Sequence, residues 1–194
     1  YKRQSEVFDK MGSMGNGAAM RVAPVGAYFA DDLDKVLYYA RASAEVTHAH
    51  MEGIAGAMAI AAASALLLNK KLGCYFGEGK AFLRDVADML PESDTKYKIL
   101  TAVSLKRESS IDFVVSVLGN GMKLTAQDTV PFCLWCAAYF YRSIEEALWT
   151  AVSALGDRDT ICAIVGGMVS LFVDEFPQQW SGYMEHPEES IFFK

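Results

Sequence analysis

Basic residues are in short supply: 18 Lys and Arg against 24 Asp and Glu leave the 194-residue chain with a formal charge of −6. The pI is near 5.1. Nucleic-acid and anionic-membrane surfaces need concentrated Lys and Arg, so neither partner is expected. An anionic ligand would have to be held by local geometry. Long, strongly apolar runs are missing as well. The longest uncharged stretch, Gly53 to Asn69, is rich in Ala and Gly. It falls short of the roughly 20 strongly apolar residues of a membrane span and reads as a buried helix. No basic segment followed by an apolar one opens the chain, as a secretory signal would, and the expectation is a cytoplasmic protein.

Cysteine is sparse: Cys74, Cys133, Cys136 and Cys162 all sit among apolar or aromatic neighbours, which suits reduced core thiols better than a disulfide framework. Cys133 and Cys136 form a C-x-x-C, but the second ligand pair of a structural zinc site is missing. Convincing apolar–polar alternation is also absent, so no strand is expected. What is present is a 52% hydrophobic composition, enough for one domain over residues 1–194. Tyr1 is no initiator, and the polar first ten residues, without Gly or Pro, read like a domain interior; a preceding segment is expected.

Helical spacing dominates. Leu33, Val36, Leu37, Ala40 and Ala44 define an amphipathic helix capped by Asp31-Asp32 and ending near Thr47. Ala, Leu and Met content predicts a central helix from Met51 to Leu68, with small residues that admit close neighbours. Further helices are expected over Lys80 to Leu90, from Ser93 or Asp94 through Val103, and from Ser109 or Ser110 to Leu118. Asp128-Thr129 ahead of Pro131 predicts a helix start with proline in its first turn, running to about Tyr141. Glu145 to Ala154 and Ile161 to Val173 complete the set, and the tail after Asp174 is expected to be irregular. The fold class is all-α, a compact bundle with short connections.

Three constellations could carry chemistry. Gly156-Asp157-Arg158-Asp159-Thr160 places two carboxylates and a hydroxyl on a turn entering a helix. These are the hard oxygen ligands that Mg²⁺, Mn²⁺ and Ca²⁺ prefer, and in an extended turn Asp157 and Asp159 would share a side. The alternative is a helix cap at Asp159 or Thr160 with Asp157 solvated. Gly12-Ser13-Met14-Gly15-Asn16-Gly17, continuing to Arg21, can bring bare N–H groups against a phosphate, or be a plain turn; it has neither the P-loop Lys nor a preceding strand. Thr47-His48-Ala49-His50 sits at a helix start, where a histidine suits a phosphate or ribose hydroxyl, or merely caps. His186 in the tail carries no reading.

Taken in order, G-S-x-G-N-G-A-A-M-R-x-A-P, T-H-x-H, D-T-V-P-F-x-L-W from Asp128 to Trp135, and G-D-x-D-T-x-x-x-I-V-G-G resemble the ADP-ribosylglycohydrolase family. The resemblance implies an orthogonal all-α bundle with a binuclear Mg²⁺ centre, sometimes Mn²⁺. It also implies cleavage of the bond between ADP-ribose and an acceptor such as arginine, serine or acetate. It makes Asp157, Asp159 and Thr160 metal ligands, with both carboxylates catalytic and Asp159 bridging two ions. Gly12, Ser13, Met14, Gly15 and Asn16 would line the diphosphate and adjacent ribose, and His48 would approach the phosphates or distal ribose.

Family members also carry a G-D-x-x-G segment with a nearby acid and a T-D-D run before the Gly-rich loop. Neither occurs here, and Asp31-Asp32 follows the loop. Half of the expected metal site therefore lies outside these residues: in a preceding segment, on a partner chain, or nowhere, as in a noncatalytic ADP-ribose-binding relative.

Overall fold

The computed structural model describes residues 8–183, and among them the regular secondary structure is helical, with no strand. The expected starts carry their caps. In α3 (Leu33–Glu45) the Asp32 carboxylate accepts from Lys35 N. Ser93, Ser110 and Ser143 do the same at α6 (Asp94–Ala102), α7 (Ile111–Leu118) and α9 (Ile144–Val152). Each such cap is worth about 1 kcal/mol.

α4 (Met51–Lys71) is the axis of the molecule. Every residue from Glu52 to Leu67 is buried, and the helix packs on most of its neighbours, among them α3, α8 (Ala126–Phe140) and α10 (Arg158–Val169). A helix apolar on all sides belongs in a core. At 21 residues it is longer than the uncharged stretch suggested and apolar enough to cross a membrane by length and composition, but 89% of that window is buried inside the fold. Glycines admit its neighbours: a Cβ on Gly56 would lie 2.7 Å from Ala126 Cβ, and one on Gly26 would overlap the Ala61 carbonyl oxygen. α5 (Lys80–Asp88) joins the same core through Phe82, Leu83, Val86 and Ala87.

Five elements differ from the sequence reading. The Gly-rich run is not all loop: α1 (Gly17–Met20) takes its second half, and α2 (Ala23–Tyr28) follows at once, with Pro in its first turn. α8 begins at Ala126, not beside Pro131, because Thr125 is extended and the Ala126 N–H bonds to Met14 O at 2.9 Å, outside the helix. Pro131 therefore sits inside α8, where its missing N–H leaves one carbonyl of the first turn without its helical partner. α10 starts at Arg158, three residues earlier than expected, and ends at Val169. The tail forms a 3-10 helix over Gln178–Tyr183 rather than irregular chain. His186 and Pro187 lie outside the described residues.

Candidate functional site

The site is assembled from three chain segments at one end of α4. Gly12 adopts φ +75°, open to glycine and strained for other residues. A Cβ there would lie 2.8 Å from His50 N, so the loop backbone presses directly on the turn before α4. Ser13 Oγ accepts from Gly15 N at 3.2 Å, closing a local turn. Across from it, Gly15 and Thr125 form an isolated antiparallel bridge, with Asn16 N bonded to Leu124 O at 3.1 Å and Ala126 N to Met14 O. The loop is thus pinned on both flanks. Gly53 completes the close packing, since a Cβ there would meet Ser13 O at 2.8 Å.

His48 lies against this loop. Cβ atoms built on Gly15 and Gly17 would each come within 3.1 Å of its ring, so glycine there is what lets the imidazole in. Its Nδ1 is 2.8 Å from Thr47 Oγ1, and Arg21 donates to that same hydroxyl at 2.6 Å. With Arg21 donating to one lone pair, the Thr47 hydroxyl keeps both a proton to give to Nδ1 and a second lone pair to accept from an Nδ1–H. Burial, and secondarily the Arg21 charge, hold the His48 pKa below its ordinary value. A histidine ring seated on a glycine loop offers a ring nitrogen for hydrogen bonding to a ligand. His50 acts differently, since its Nδ1 accepts from Glu52 N at 3.1 Å and caps α4. Arg21 also donates to Ser43 O and is structural.

The acidic turn differs in shape from the sequence reading. Arg158, Asp159 and Thr160 form the first turn of α10, so Asp157 and Asp159 do not share the side of an extended turn. Asp157 is the N-cap residue, yet its side chain makes no capping bond. Its Oδ2 instead accepts from Asn16 Nδ2 at 2.9 Å, and the same nitrogen reaches Thr129 Oγ1 at 3.0 Å. The two carboxyl groups are nonetheless neighbours. Asp159 is held below the usual carboxylate range first by its side-chain hydrogen bond with Asp157, then by the backbone N–H groups of Asp159 and Thr160.

Two carboxyl groups in such contact need a shared proton or a cation between them. No ion pair among the described residues involves either one. Thr160 is buried beside them. Two carboxylates and a hydroxyl, without competing basic side chains, are chemically fit for one face of a hard divalent cation. Among the described residues no group of three or more His, Cys, Asp or Glu converges on one point. The same finding applies to the C-x-x-C: Cys133 and Cys136 are core thiols, and burial pushes both well above their ordinary pKa, whereas Cys162 is half-buried and Cys74, expected in the core, is exposed in the turn after α4.

Sequence reasoning missed several residues that shape the site. Thr129 ties α8 to Asn16, and Asp128 is buried with its Oδ2 accepting from Lys123 N at 3.0 Å. Glu52, 8% exposed, accepts from Asp94 N, Thr95 N and Thr95 Oγ1 at 2.7–2.9 Å, fastening α6 to the His48 end of α4. A carboxylate in the first turn of a helix with no other charge before Lys70 was the available signal for Glu52. The Asp128-Thr129 doublet was visible as a helix start and as part of the family-like D-T-V-P-F-x-L-W segment, with no role of its own in the site.

With this geometry, the comparisons with known proteins are unambiguous. The family model described as ADP-ribosylglycohydrolase matches residues 2–191. ADP-ribosylhydrolase ARH3 of Homo sapiens is 30% identical over 214 residues, covering 94% of this chain and 57% of the relative. The Mus musculus protein of the same name is 28% identical over 222 residues, covering 98% and 58%. An uncharacterized protein of Archaeoglobus fulgidus is 33% identical over 166 residues, covering 84% and 51%. The chain spans about half the length of the curated relatives it matches. The chain belongs to the ADP-ribosylglycohydrolase family.

Proposed function

We propose that the protein hydrolyses the glycosidic bond between ADP-ribose and an acceptor, a protein side chain or small molecule, with Mg²⁺ bound at Asp157, Asp159 and Thr160. The observation that carries this reading is the Asn16 side chain, which ties the Gly-rich loop to the Asp157 carboxylate and so makes a phosphate-type cradle and an acidic cation site one unit. Backbone N–H groups of residues 12–16 suit the diphosphate, because glycine lets the main chain approach closely. The His48 ring, in the tautomer protonated at Nε2, donates to a phosphate or ribose oxygen. Two Mg²⁺ ions in a complete site, or Mn²⁺ in their place, supply Lewis acidity and a water of lowered pKa.

Water attacks the anomeric carbon as its bond to the acceptor breaks; the ribose keeps the hydroxyl and the acceptor takes the proton. Positive charge grows on the sugar in an oxocarbenium-like transition state, and the adjacent Asp157 and Asp159 stabilise it. Asn16 fixes the Asp157 carboxylate before substrate arrives, so little reorganisation is needed.

The test uses the full-length protein: calorimetry with ADP-ribose, with and without Mg²⁺, and release assays on ADP-ribosyl-arginine and ADP-ribosyl-serine peptides. Tight binding with Mg²⁺-dependent release is expected, and Asp157→Ala with Asp159→Ala abolishes the metal dependence. Binding without release identifies a noncatalytic ADP-ribose-binding relative, and no binding overturns the site.

A further inference from the structure

Residues 119–124, between α7 and α8, touch both the Gly-rich loop and the acidic turn without supplying a candidate ligand. One anchor is Asp128 in the first turn of α8. Its Oδ2 accepts from Lys123 N and its carbonyl accepts from Gly121 N, both at 3.0 Å, and the residue is 5% exposed. The other anchor is Asn120. Its carbonyl accepts from Asp157 N at 3.0 Å, and its Nδ2 donates to Ala154 O at 2.9 Å. At the far end Leu124 O accepts from Asn16 N.

The loop has no slack. Gly121 adopts φ +83°, and a Cβ there would lie 2.7 Å from Asp157 Cβ. A Cβ on Gly156 would overlap the Asn120 carbonyl oxygen. An N-cap aspartate normally turns its carboxylate back to the N–H groups of its own helix. Asp157 does not, and its main-chain N–H is the group bonded to Asn120. The side chain is thereby left to Asn16 and to whatever lies beside Asp159.

We propose that Asn120 and Asp128 are positioning residues that hold the Asp157 carboxylate out of its capping position and ready for a divalent cation. Asp128 fixes the loop, and Asn120 suspends the N-terminus of α10 from it. The inference rests on the cation-site reading above. Partners that orient a metal ligand without touching the metal change affinity by about 10–100-fold when removed.

The experiment titrates Mn²⁺ into the full-length protein by electron paramagnetic resonance, and measures ADP-ribose affinity, kcat and KM in parallel. Asn120→Ala and Asp128→Ala are expected to weaken Mn²⁺ binding about 10–100-fold and to lower kcat, with KM for the ADP-ribosylated peptide unchanged. Asp128→Asn keeps a side-chain oxygen for Lys123 N and restores Mn²⁺ affinity. Val86→Ala, in the α5 core, lowers the melting temperature and leaves Mn²⁺ affinity as in wild type. Should Asp128→Ala fail to fold, Asn120→Ala carries the test, since it deletes only the Nδ2 bond to Ala154 O that locks the Asn120 carbonyl against Asp157 N. Wild-type Mn²⁺ affinity in Asn120→Ala overturns the proposal, as does an equal loss in Val86→Ala. A wild-type protein that binds no Mn²⁺ overturns the cation site itself, a distinct result.

Discussion

The side-chain nitrogen of Asn16 lies 2.9 Å from Asp157 Oδ2, joining residues 141 positions apart in the chain. Through this bond and its partner to Thr129, the Gly-rich loop, α8 and the start of α10 become one rigid corner. An amide nitrogen has two protons to give, and here both go to groups that need fixing.

Asn16→Ala removes both bonds at a buried position. The expected cost is about 1–3 kcal/mol of stability, with weaker divalent binding. Asn16→Asp is harsher, because it sets a third carboxylate against Asp157 and Asp159. Thermal unfolding with and without Mg²⁺ distinguishes them: Mg²⁺ should raise the melting temperature of the Asp variant more than that of the Ala variant. Identical responses would mean that Asn16 does not face the cation site.

Glu52 links α4 to α6 through three accepted hydrogen bonds. Glu52→Gln keeps an oxygen for Thr95 N and Oγ1 but sets an NH₂ against Asp94 N, and Glu52→Ala leaves all three donors unmet. Losses of about 1–3 kcal/mol and somewhat more, respectively, are expected in denaturant unfolding. Hydrogen exchange at Asp94 and Thr95 should accelerate in both variants. Unchanged exchange there would show that the cap is dispensable.

His48 sets a pH dependence. Its folded pKa is below the ordinary 6.5, chiefly through burial. The unfolded chain therefore takes up this proton first as pH falls. The stability associated with neutral His48 is complete above the ordinary value and is lost as pH falls through the folded pKa. NMR titration should show the His48 ring protonating at lower pH than a free histidine. Arg21→Ala, which removes a nearby positive charge, should move that titration upward. A downward or null response would contradict the assigned role of Arg21.

Much of the helical framework was legible from sequence. Ser93, Ser110, Ser143 and Asp32 announce their helices because a cap acts within a single turn, and the apolar spacing of α3 and α5 repeats along one face. The Gly-rich run and the Asp157–Thr160 turn were likewise recognisable by residue type. The start of α8 was misread because its first N–H bonds to Met14, a residue remote in sequence, while Pro131 offered a stronger local signal. The short helices α1 and α2 were hidden by glycines whose role is to admit His48 and the backbone of α4.

By itself, then, the sequence determined the all-α class, a buried α4 and the residue types at the site, since these follow from periodicity and side-chain chemistry within a few turns. Only the tertiary structure decided that Asn16 meets Asp157, that His48 lies on Gly15 and Gly17, and that Asn120 carries the start of α10. Hydrogen bonds between distant segments have no local pattern in the chain. They exist because packing around α4 brings those segments to one corner, where buried polar groups must find partners in one another.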